Sequence, residues 1–254
     1  PGLMLATKQD TSAYVLRLDA SGDGQQAFSI AASSWYSSKA TDLELDAENN
    51  LLVTGEGQTM PGQYANFFEK YSPAGKLVFS KSFAGRVDLA GVAVDSKLRA
   101  TIFGHFTEQL SNEGQTFQSP PDDSRAWIAQ YTPTGQLAWQ KAYDGEATAA
   151  GLTTDPFGNL ILTGGGALVF QGKPLASSHA VDRESALFSF VLKLRPDGSE
   201  VWARTIDGDV RQLGLGTDRA GNTWLGSNFQ GPVWVGSTKL ATDRAAGLLV
   251  KLSP

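Results

Sequence analysis

The chain has 254 residues, 41% of them hydrophobic, and a formal net charge of −5, which suffices for one large domain or two small ones. A negative surface repels nucleic-acid phosphates and anionic lipid, so neither nucleic acid nor a membrane surface is expected as a partner. Cysteine is absent, which excludes disulfides, thiolate metal ligands and cysteine nucleophiles. No apolar run is long enough for membrane insertion. The opening Pro1-Gly2-Leu3 is read as a mature form whose leader has been removed.

Two short motifs recur along the chain. One is an Asp followed by a short turn, a hydrophobic run and a Gly, and its copies begin at Asp46, Asp95, Asp155 and Asp218. The other is a hydrophobic run ending in a turn with Gly, and it occupies 14–22, 67–75, 127–135 and 190–198, with a shortened copy at 248–254. After each complete copy comes a strand with an aromatic side chain, and these are Phe28, Phe79, Trp139 and Trp202. Such runs between Pro-x-Gly or Gly-Asn turns predict strands in hairpins.

The repeats predict an all-β fold, a β-propeller of four-stranded antiparallel blades. In the copy that is easiest to divide, the strands are predicted at 89–95, 98–106, 127–131 and 137–143. The first would line the central channel and the last would carry the aromatic that packs between blades. We expect one domain over 1–254, built of repeats of about 50–63 residues, with five blades of which the two end ones are incomplete. A piece of a larger propeller and a half that closes only with a second copy remain alternatives.

Two stretches resemble the repeat of bacterial SBBP-type β-propeller proteins. They are 190–202, with its Phe-Val-x-Lys-Leu-x-Pro-x-Gly phrase before a Trp, and 218–226, with Gly-Asn before a hydrophobic strand. The resemblance implies an exported protein, secreted or on the surface of the bacterial envelope. It is specific for fold and almost silent on function.

Four longer segments are predicted to lie on one face of the propeller, at 56–66, 105–126, 165–187 and 227–246. Insertions collected on one face of a repeat protein usually mark its binding face. Trp35 and Tyr36 stand among hydroxyl residues near that face and suit sugar stacking or a protein contact, unless Trp35 fills a gap between blades. The predicted ligand-binding residues are Trp35, Tyr36, His105, Arg125, His179 and Arg183.

Catalytic signals are weak in the sequence. His105 and His179 are the only histidines and each is isolated, so no catalytic residue, metal site or cofactor is predicted. Asp207 and Asp209 are interpreted as solvated turn residues. The stretch 19–24 is interpreted as a hairpin turn and not as a calcium loop.

These observations lead to a non-catalytic, exported binding or scaffold module. Its expected partner is a protein or a polysaccharide of the cell envelope. The alternatives are a lectin-like, carbohydrate-binding propeller and a hydrolase or lyase with carboxylates at the channel mouth. Membership of a larger chain and a homodimer both stay open.

Overall fold

A computed structural model describes residues 2–7, 13–30, 35–177, 179 and 188–254, with the backbone alone described at 2–7 and 211–213. The chain forms antiparallel sheets that follow one another along the sequence. Within the described ranges, no helix is long and apolar enough to cross a membrane.

Five successive groups of strands form the blades of a β-propeller-like fold, as the repeats predict, and the last two groups share one seven-stranded sheet. The first blade contains β1 (Gly2–Thr7), β2 (Ala13–Leu18) and β3 (Gly24–Ser29). The second contains β4 (Ser37–Leu45), β5 (Leu51–Met60), β6 (Gln63–Tyr71) and β7 (Leu77–Ala84). The third contains β8 (Val87–Val94), β9 (Ala100–Thr107), β12 (Ser124–Tyr131) and β13 (Leu137–Ala142), and carries a hairpin of β10 (Gln109–Asn112) and β11 (Gln115–Gln118).

The last two blades are joined. The fourth contains β14 (Ala147–Thr154), β15 (Leu160–Gly166), β18 (Phe188–Leu194) and β19 (Glu200–Asp207), with a small hairpin of β16 (Val169–Phe170) and β17 (Lys173–Pro174). The fifth contains β20 (Val210–Thr217), β21 (Thr223–Val235) and β22 (Thr238–Leu252). The far end of β21 also pairs with β19, which links the two sheets. Among the described residues the end blades thus have three strands each, which confirms the predicted incomplete ends.

The innermost strands β4, β8, β14 and β20 pack in that order. Each contains one register shift at the same place in the repeat, which leaves one unpaired residue on the inner strand: Thr41, Ala90, Ala150 and Leu213. A bulge of this kind bends a strand and increases its twist. Its recurrence indicates that each inner strand turns toward the channel by the same device.

Four hydrophobic clusters hold the blades together, one at each contact between successive blades. One central strand of each blade provides two neighbouring side chains, one toward the preceding blade and one toward the following blade. This central strand is β2, β6, β12, β18 and β22 in the five blades in turn. Those that face the following blade are Val15, Phe68, Ile128 and Val191, all 0% exposed. Those that face the preceding blade are Phe67, Trp127 and Phe190, at 0%, and Leu248, at 8%. Each such burial contributes about 1.5–3 kcal/mol to the free energy of unfolding.

The recurring Asp closes the turn after each inner strand. Oδ1 of Asp46 accepts the backbone N–H groups of Glu48 and Asn50, and Oδ2 accepts the side-chain amide of Asn50. The same backbone bonds recur at Asp95, Asp155 and Asp218. These residues are turn caps, because a carboxylate that accepts nearby N–H groups fixes a turn locally.

A lysine of the central strand completes this arrangement in two blades. Lys70 pairs with Asp46 at 2.9 Å and Lys193 with Asp155 at 3.0 Å. In the third blade Gln130 stands where the lysine would be, and Arg99 contacts Asp95 through Nε at 2.7 Å and through Nη2 at 2.6 Å. One arginine there replaces both the amide and the lysine.

In the first three blades the aromatic of the outer strand packs under a turn glycine of the following blade. The three pairs are Phe28 with Gly75, Phe79 with Gly135, and Trp139 with Gly198. The glycines have φ between +77° and +84°, and a Cβ on them would lie 2.7–3.1 Å from the ring. Glycine is therefore required both by the left-handed backbone and by the close approach. This confirms the expected role of the aromatics between blades.

Two sequence-based expectations are corrected. The segments predicted as long loops are largely hairpins, because turn glycines with positive φ close them at Gly62, Gly114, Gly172 and Gly236. Trp224 is expected in the core because it belongs to the hydrophobic run that follows Asp218, but it is only partly buried. Its indole N–H donates to Asp218 and the Lys251 ammonium lies 5.1 Å from its ring, since it lies on the outward side of the last blade.

Candidate functional site

A cleft of about 810 Å³ lies over one end of the fourth blade. Its walls come from the start of β14, the end of β15, the start of β18 and the turn into β20. Because neighbouring strands are antiparallel, these four points share one face of the blade, the face that the sequence predicts to bind. Its polar lining residues are Ser124, Glu146, Thr148, Ser177, Ser189 and Asp209.

A tight turn places two carboxylates beside the cleft. Gly208 has φ +118°, and a Cβ on it would lie 2.6 Å from the carbonyl oxygen of Pro232. Only glycine fits at this position. The chain reverses there, between Asp207, which is buried, and Asp209, which is exposed in the cleft. The equivalent turn before β14 places Glu146 in the cleft.

Asp207 is paired with His179. Nδ1 of His179 lies 2.9 Å from Oδ2 of Asp207, and the exposed fraction of the side chain is 27% for the histidine and 5% for the aspartate. The imidazole is stacked on Trp234, with ring centroids 4.0 Å apart and an angle of 5° between the planes. Trp234 reaches this position because it is directly opposite Asp207 in the short ladder between β19 and β21. The Oγ of Ser177 accepts the backbone N–H of His179.

This arrangement suits proton transfer. A carboxylate at Nδ1 holds the imidazole in the tautomer with its proton on that nitrogen and stabilises the imidazolium form. A flat aromatic stack fixes the plane of the ring. The cleft begins at Ser177 on one side of the pair and at Gly208 on the other. The pair is thus close in sequence to two residues that line the cleft, while His179 and Asp207 are not themselves among its lining residues.

The other predicted binding residues are distributed over three blades. Trp35 packs edge-on against Phe67, with ring centroids 5.6 Å apart, and so fills space between the first two blades, while Tyr36 is 66% exposed. Arg183 lies outside the described residues. Of the six residues, two are near the cleft and contact a carboxylate: His179, two residues from the lining residue Ser177 and paired with Asp207, and Arg125, next to the lining residue Ser124 and in contact with Asp144. The predicted binding role of these residues stays a prediction.

His105 and Arg125 make structural contacts. Nδ1 of His105 accepts the backbone N–H of Ala149 at 3.4 Å and Nε2 lies 3.5 Å from Asp88. Burial lowers the pKa of His105 and outweighs the opposite effect of Asp88. The guanidinium of Arg125 donates to the carbonyl oxygens of Gln118 and Tyr143 and to Asp144. It thus holds these three segments together beside Ser124, which lines the cleft.

Two interpretations of the site residues were wrong. The histidines are not isolated, because each lies near a carboxylate that is distant in sequence. Asp207 is not a solvated turn residue, because it is buried under His179. The sequence does contain a pattern that indicates the two turns at the cleft, because Asp-Gly followed by an acidic residue occurs at 144–146 and again at 207–209. Trp234 had no such signal, since it belongs to no repeat.

Within the part of the chain that the structure describes, no three His, Asp or Glu side chains converge in a way that could hold a metal ion.

No protein-family model matches the chain, and no curated protein matches it. Among solved structures, the fold is similar to a protein of unknown function from Bacteroides caccae, with a TM-score of 0.49, 8% identity and coverage of 99% of this chain and 72% of that chain. It is also similar to the lignostilbene dioxygenase of Pseudomonas brassicacearum, with a TM-score of 0.49, 16% identity and coverage of 89% and 51%. A third is a Synechocystis apocarotenoid oxygenase mutant, with a TM-score of 0.49, 12% identity and coverage of 98% and 57%.

The chain spans little more than half the length of the two oxygenases. Similarity at this level assigns neither their family nor their chemistry to this chain. The expectation of a non-catalytic binding or scaffold module finds no support in these comparisons, which include two enzymes. The chain is a five-bladed β-propeller-like protein with a cleft over its fourth blade and a histidine–aspartate pair beside it.

Proposed function

We propose that the chain is an enzyme, a hydrolase or lyase, whose acid–base group is His179 positioned by Asp207. The observation that carries the proposal is the 2.9 Å contact between Nδ1 of His179 and Oδ2 of the buried Asp207. Histidine is the side chain most often used for proton transfer near neutral pH, and a carboxylate at Nδ1 is the usual way to orient it. The partly exposed imidazole is accessible to a proton of water or of a substrate hydroxyl.

The cleft supplies the substrate site. Its volume of about 810 Å³ falls in the usual range for small-molecule and cofactor sites. Serine and threonine hydroxyls on its wall offer hydrogen bonds to a polar substrate, while Leu175 and Phe188 offer apolar contacts. Glu146 and Asp209 give the cleft a negative character, so an uncharged or cationic substrate fits better than an anionic one.

The proton path follows from the orientation of the ring. His179 takes a proton from the nucleophilic water, or from the carbon acid in an elimination, and the resulting imidazolium is stabilised by Asp207. The ring nitrogen of His179 that took the proton then returns it to the leaving group. Trp234 keeps the ring plane fixed throughout. The expectation of an exported protein, with a polysaccharide of the cell envelope as its target, stays a prediction here.

The test uses p-nitrophenyl acetate and p-nitrophenyl glycosides of neutral sugars as probes for hydrolysis. For elimination it uses fully methyl-esterified, and therefore uncharged, polygalacturonate, with the unsaturated product followed at 235 nm. Where the purified chain is active, the His179→Gln variant is expected to lower kcat/KM by about 10²-fold or more. Asp207→Asn should lower it less, because the imidazole remains but its orientation and charge are no longer supported.

His105→Gln is the matched control, since it removes the other histidine, which also lies near a carboxylate. It is expected to leave kcat/KM unchanged. Activity that survives in His179→Gln, with the fold verified by circular dichroism, would contradict the proposal. Activity that fails equally in His105→Gln would contradict it as well.

A further inference from the structure

The cleft occupies one defined position of the repeat. The first residues of β8, β14 and β20 pair with Phe106, Gly166 and Phe229 respectively, so these three residues are equivalent in the third, fourth and fifth blades. The residues on either side of them make the stretch Gly-Gly-Ala in the fourth blade, but His-Phe-Thr in the third and Asn-Phe-Gln in the fifth. All three residues of the Gly-Gly-Ala stretch line the cleft. The cleft is therefore widest where the repeat has its smallest side chains.

A second, smaller cavity of about 200 Å³ lies at the same position of the fifth blade. This fifth-blade cavity is lined by Asp209, Asn228, Phe229, Gln230 and Ala245, and its 228–230 stretch is the equivalent of the small residues in the cleft. Asp209 is the equivalent of Glu146, because each follows Asp-Gly and directly precedes an inner strand. Asp209 lines both cavities. The cleft and the fifth-blade cavity are thus neighbouring copies of one site that meet at Asp209.

An irregularity in the pairing of β21 with β22 shapes the fifth-blade cavity. The ladder between these strands skips Gln230 on one strand and 243–245 on the other. Gln230 and Ala245, which are among the skipped residues, both line the cavity. Bulges redirect side chains and are common beside functional sites. The cavity is therefore built from two paired strands and the turn into β20.

The fifth-blade cavity offers hydrogen bonds and little apolar surface. Asp209, Asn228 and Gln230 are exposed, and within the described ranges neither side-chain amide makes a hydrogen bond. Phe229 is only 8% exposed. A side-chain amide both donates and accepts hydrogen bonds, which suits the hydroxyl groups of a neutral sugar. A peptide is usually held by a free sheet edge or by apolar anchor pockets, and neither belongs to this cavity.

We propose that the substrate is a neutral oligosaccharide whose neighbouring sugar units occupy the cleft and the fifth-blade cavity. The unit in the cleft is the one near the proposed acid–base pair, and Asp209 lies where the two units join. Asn228 and Gln230 hold the second unit and so determine the preference for a chain over a single sugar. This inference rests on the proposed function, since it names the substrate of that site, but the binding can be measured without turnover.

Binding is measured by titration calorimetry in the His179→Gln variant, in which turnover does not disturb the equilibrium. The probes are linear oligosaccharides of one to four units of glucose, mannose, galactose, xylose or N-acetylglucosamine. In at least one series the disaccharide is expected to bind about tenfold more tightly than the monosaccharide, because the second unit adds hydrogen bonds. Asn228→Ala and Gln230→Ala should each remove most of this advantage. The affinity for the monosaccharide, which depends on the cleft, should not change.

Gln63→Ala is the matched control, because Gln63 is also exposed but lies on the second blade and lines neither cavity. It should keep the full advantage of the disaccharide, and circular dichroism verifies the fold of each variant. Affinity that does not depend on chain length would overturn the proposal, as would equal losses in Gln63→Ala and Gln230→Ala. Binding of none of the series would overturn it too, including the case in which a peptide array gives the only ligand.

The proposed function fails in a different measurement. It is contradicted when the His179→Gln variant retains activity, whereas the two sugar positions are tested in that same variant by binding alone. Length-dependent binding together with retained activity would leave the sugar positions in place and move the acid–base role to another residue. Lost activity without length-dependent binding would overturn the sugar positions and leave the role of His179.

Discussion

Lys70 Nζ lies 2.9 Å from Oδ2 of Asp46, and the two side chains are 4% and 0% exposed. The same pair in the fifth blade, Lys251 and Asp218, is 4.0 Å apart with side chains 48% and 35% exposed. The repeat thus contains a buried and an exposed version of one ion pair. Removal of one partner from a buried pair strands the other charge, whereas an exposed pair is worth little.

We therefore expect Lys70→Met to lower the free energy of unfolding by about 3 kcal/mol. Lys251→Met, the matched control, should lower it by less than about 1 kcal/mol. Urea denaturation at pH 7, followed by tryptophan fluorescence, measures both. Equal losses in the two variants would show that burial of the pair does not determine its contribution.

Stability should fall with acid between about pH 4 and pH 2. Hydrogen bonds from Asn222 and Trp224 lower the pKa of Asp218 to about 2, below its ordinary value of 3.8. Asp46 and Asp155 also have lowered pKa values, because hydrogen bonds from Asn50 and Asn159 and from the two lysines outweigh the effect of burial. A carboxylate with a lowered folded-state pKa stabilises the fold above its unfolded pKa, and this contribution is lost as the pH falls through the folded value. Thermal denaturation at steps of half a pH unit measures the effect.

Asp42 acts in the opposite sense. Burial raises its pKa, although the backbone N–H of Val92 donates to it. Its protonation on acidification thus favours the fold and partly offsets the loss at the turns. Asp42→Asn removes that offset, so the variant should lose stability more steeply with acid than the unmodified chain. A parallel loss in the two would contradict this assignment.

Gly208→Ala should destabilise the protein by about 2 kcal/mol and reduce any activity at the cleft. The added Cβ meets the carbonyl oxygen of Pro232, and φ of +118° is unfavourable for alanine. The displaced turn would move Asp207 relative to His179. Gly214→Ala is the control, since its Cβ meets nothing within 4 Å and its φ is not positive; it should be close to neutral by calorimetry.

Trp234→Leu is expected to lower kcat/KM on a responsive probe by about 10-fold, because the imidazole of His179 loses the ring that fixes its plane. Trp224→Leu is matched to it, since each ring also has a lysine ammonium near its face, at 5.4 Å and 5.1 Å. The Trp224 variant should retain activity. Steady-state kinetics at saturating and at low substrate separate an effect on kcat from one on KM.

The fold could be predicted because its signals are local and repeated. The Asp turns and the aromatic after each turn glycine recur at comparable spacing, and each marks a strand boundary that needs no knowledge of distant contacts. The hairpins on the cleft face were mistaken for loops because their glycine turns are single and outside the repeat. Backbone pairing then extended the flanking strands further than their hydrophobic runs indicated.

The site was harder to predict because it departs from the repeat. His179 and Asp207 are 28 residues apart, and neither has an equivalent pair in another blade. The stacking of His179 on Trp234 depends on the return of β21 to β19 after the last blade has begun. A contact that arises once, between a loop and a strand end, leaves no periodic trace in a single sequence.

Because of Arg99, the inner turn of the third blade cannot be exchanged alone for the inner turn of the second blade. Arg99 holds Asp95 without help from the central strand, where Gln130 instead donates to Thr101 and accepts from Trp139. A chimera that takes its inner turn from the third blade and its central strand from the second would place arginine and lysine against one carboxylate. The reverse chimera would leave that carboxylate without a cation. A recombination between these repeats therefore keeps one cation for each carboxylate only when the inner turn and the central strand come from the same blade. The unit that can be exchanged is the whole blade.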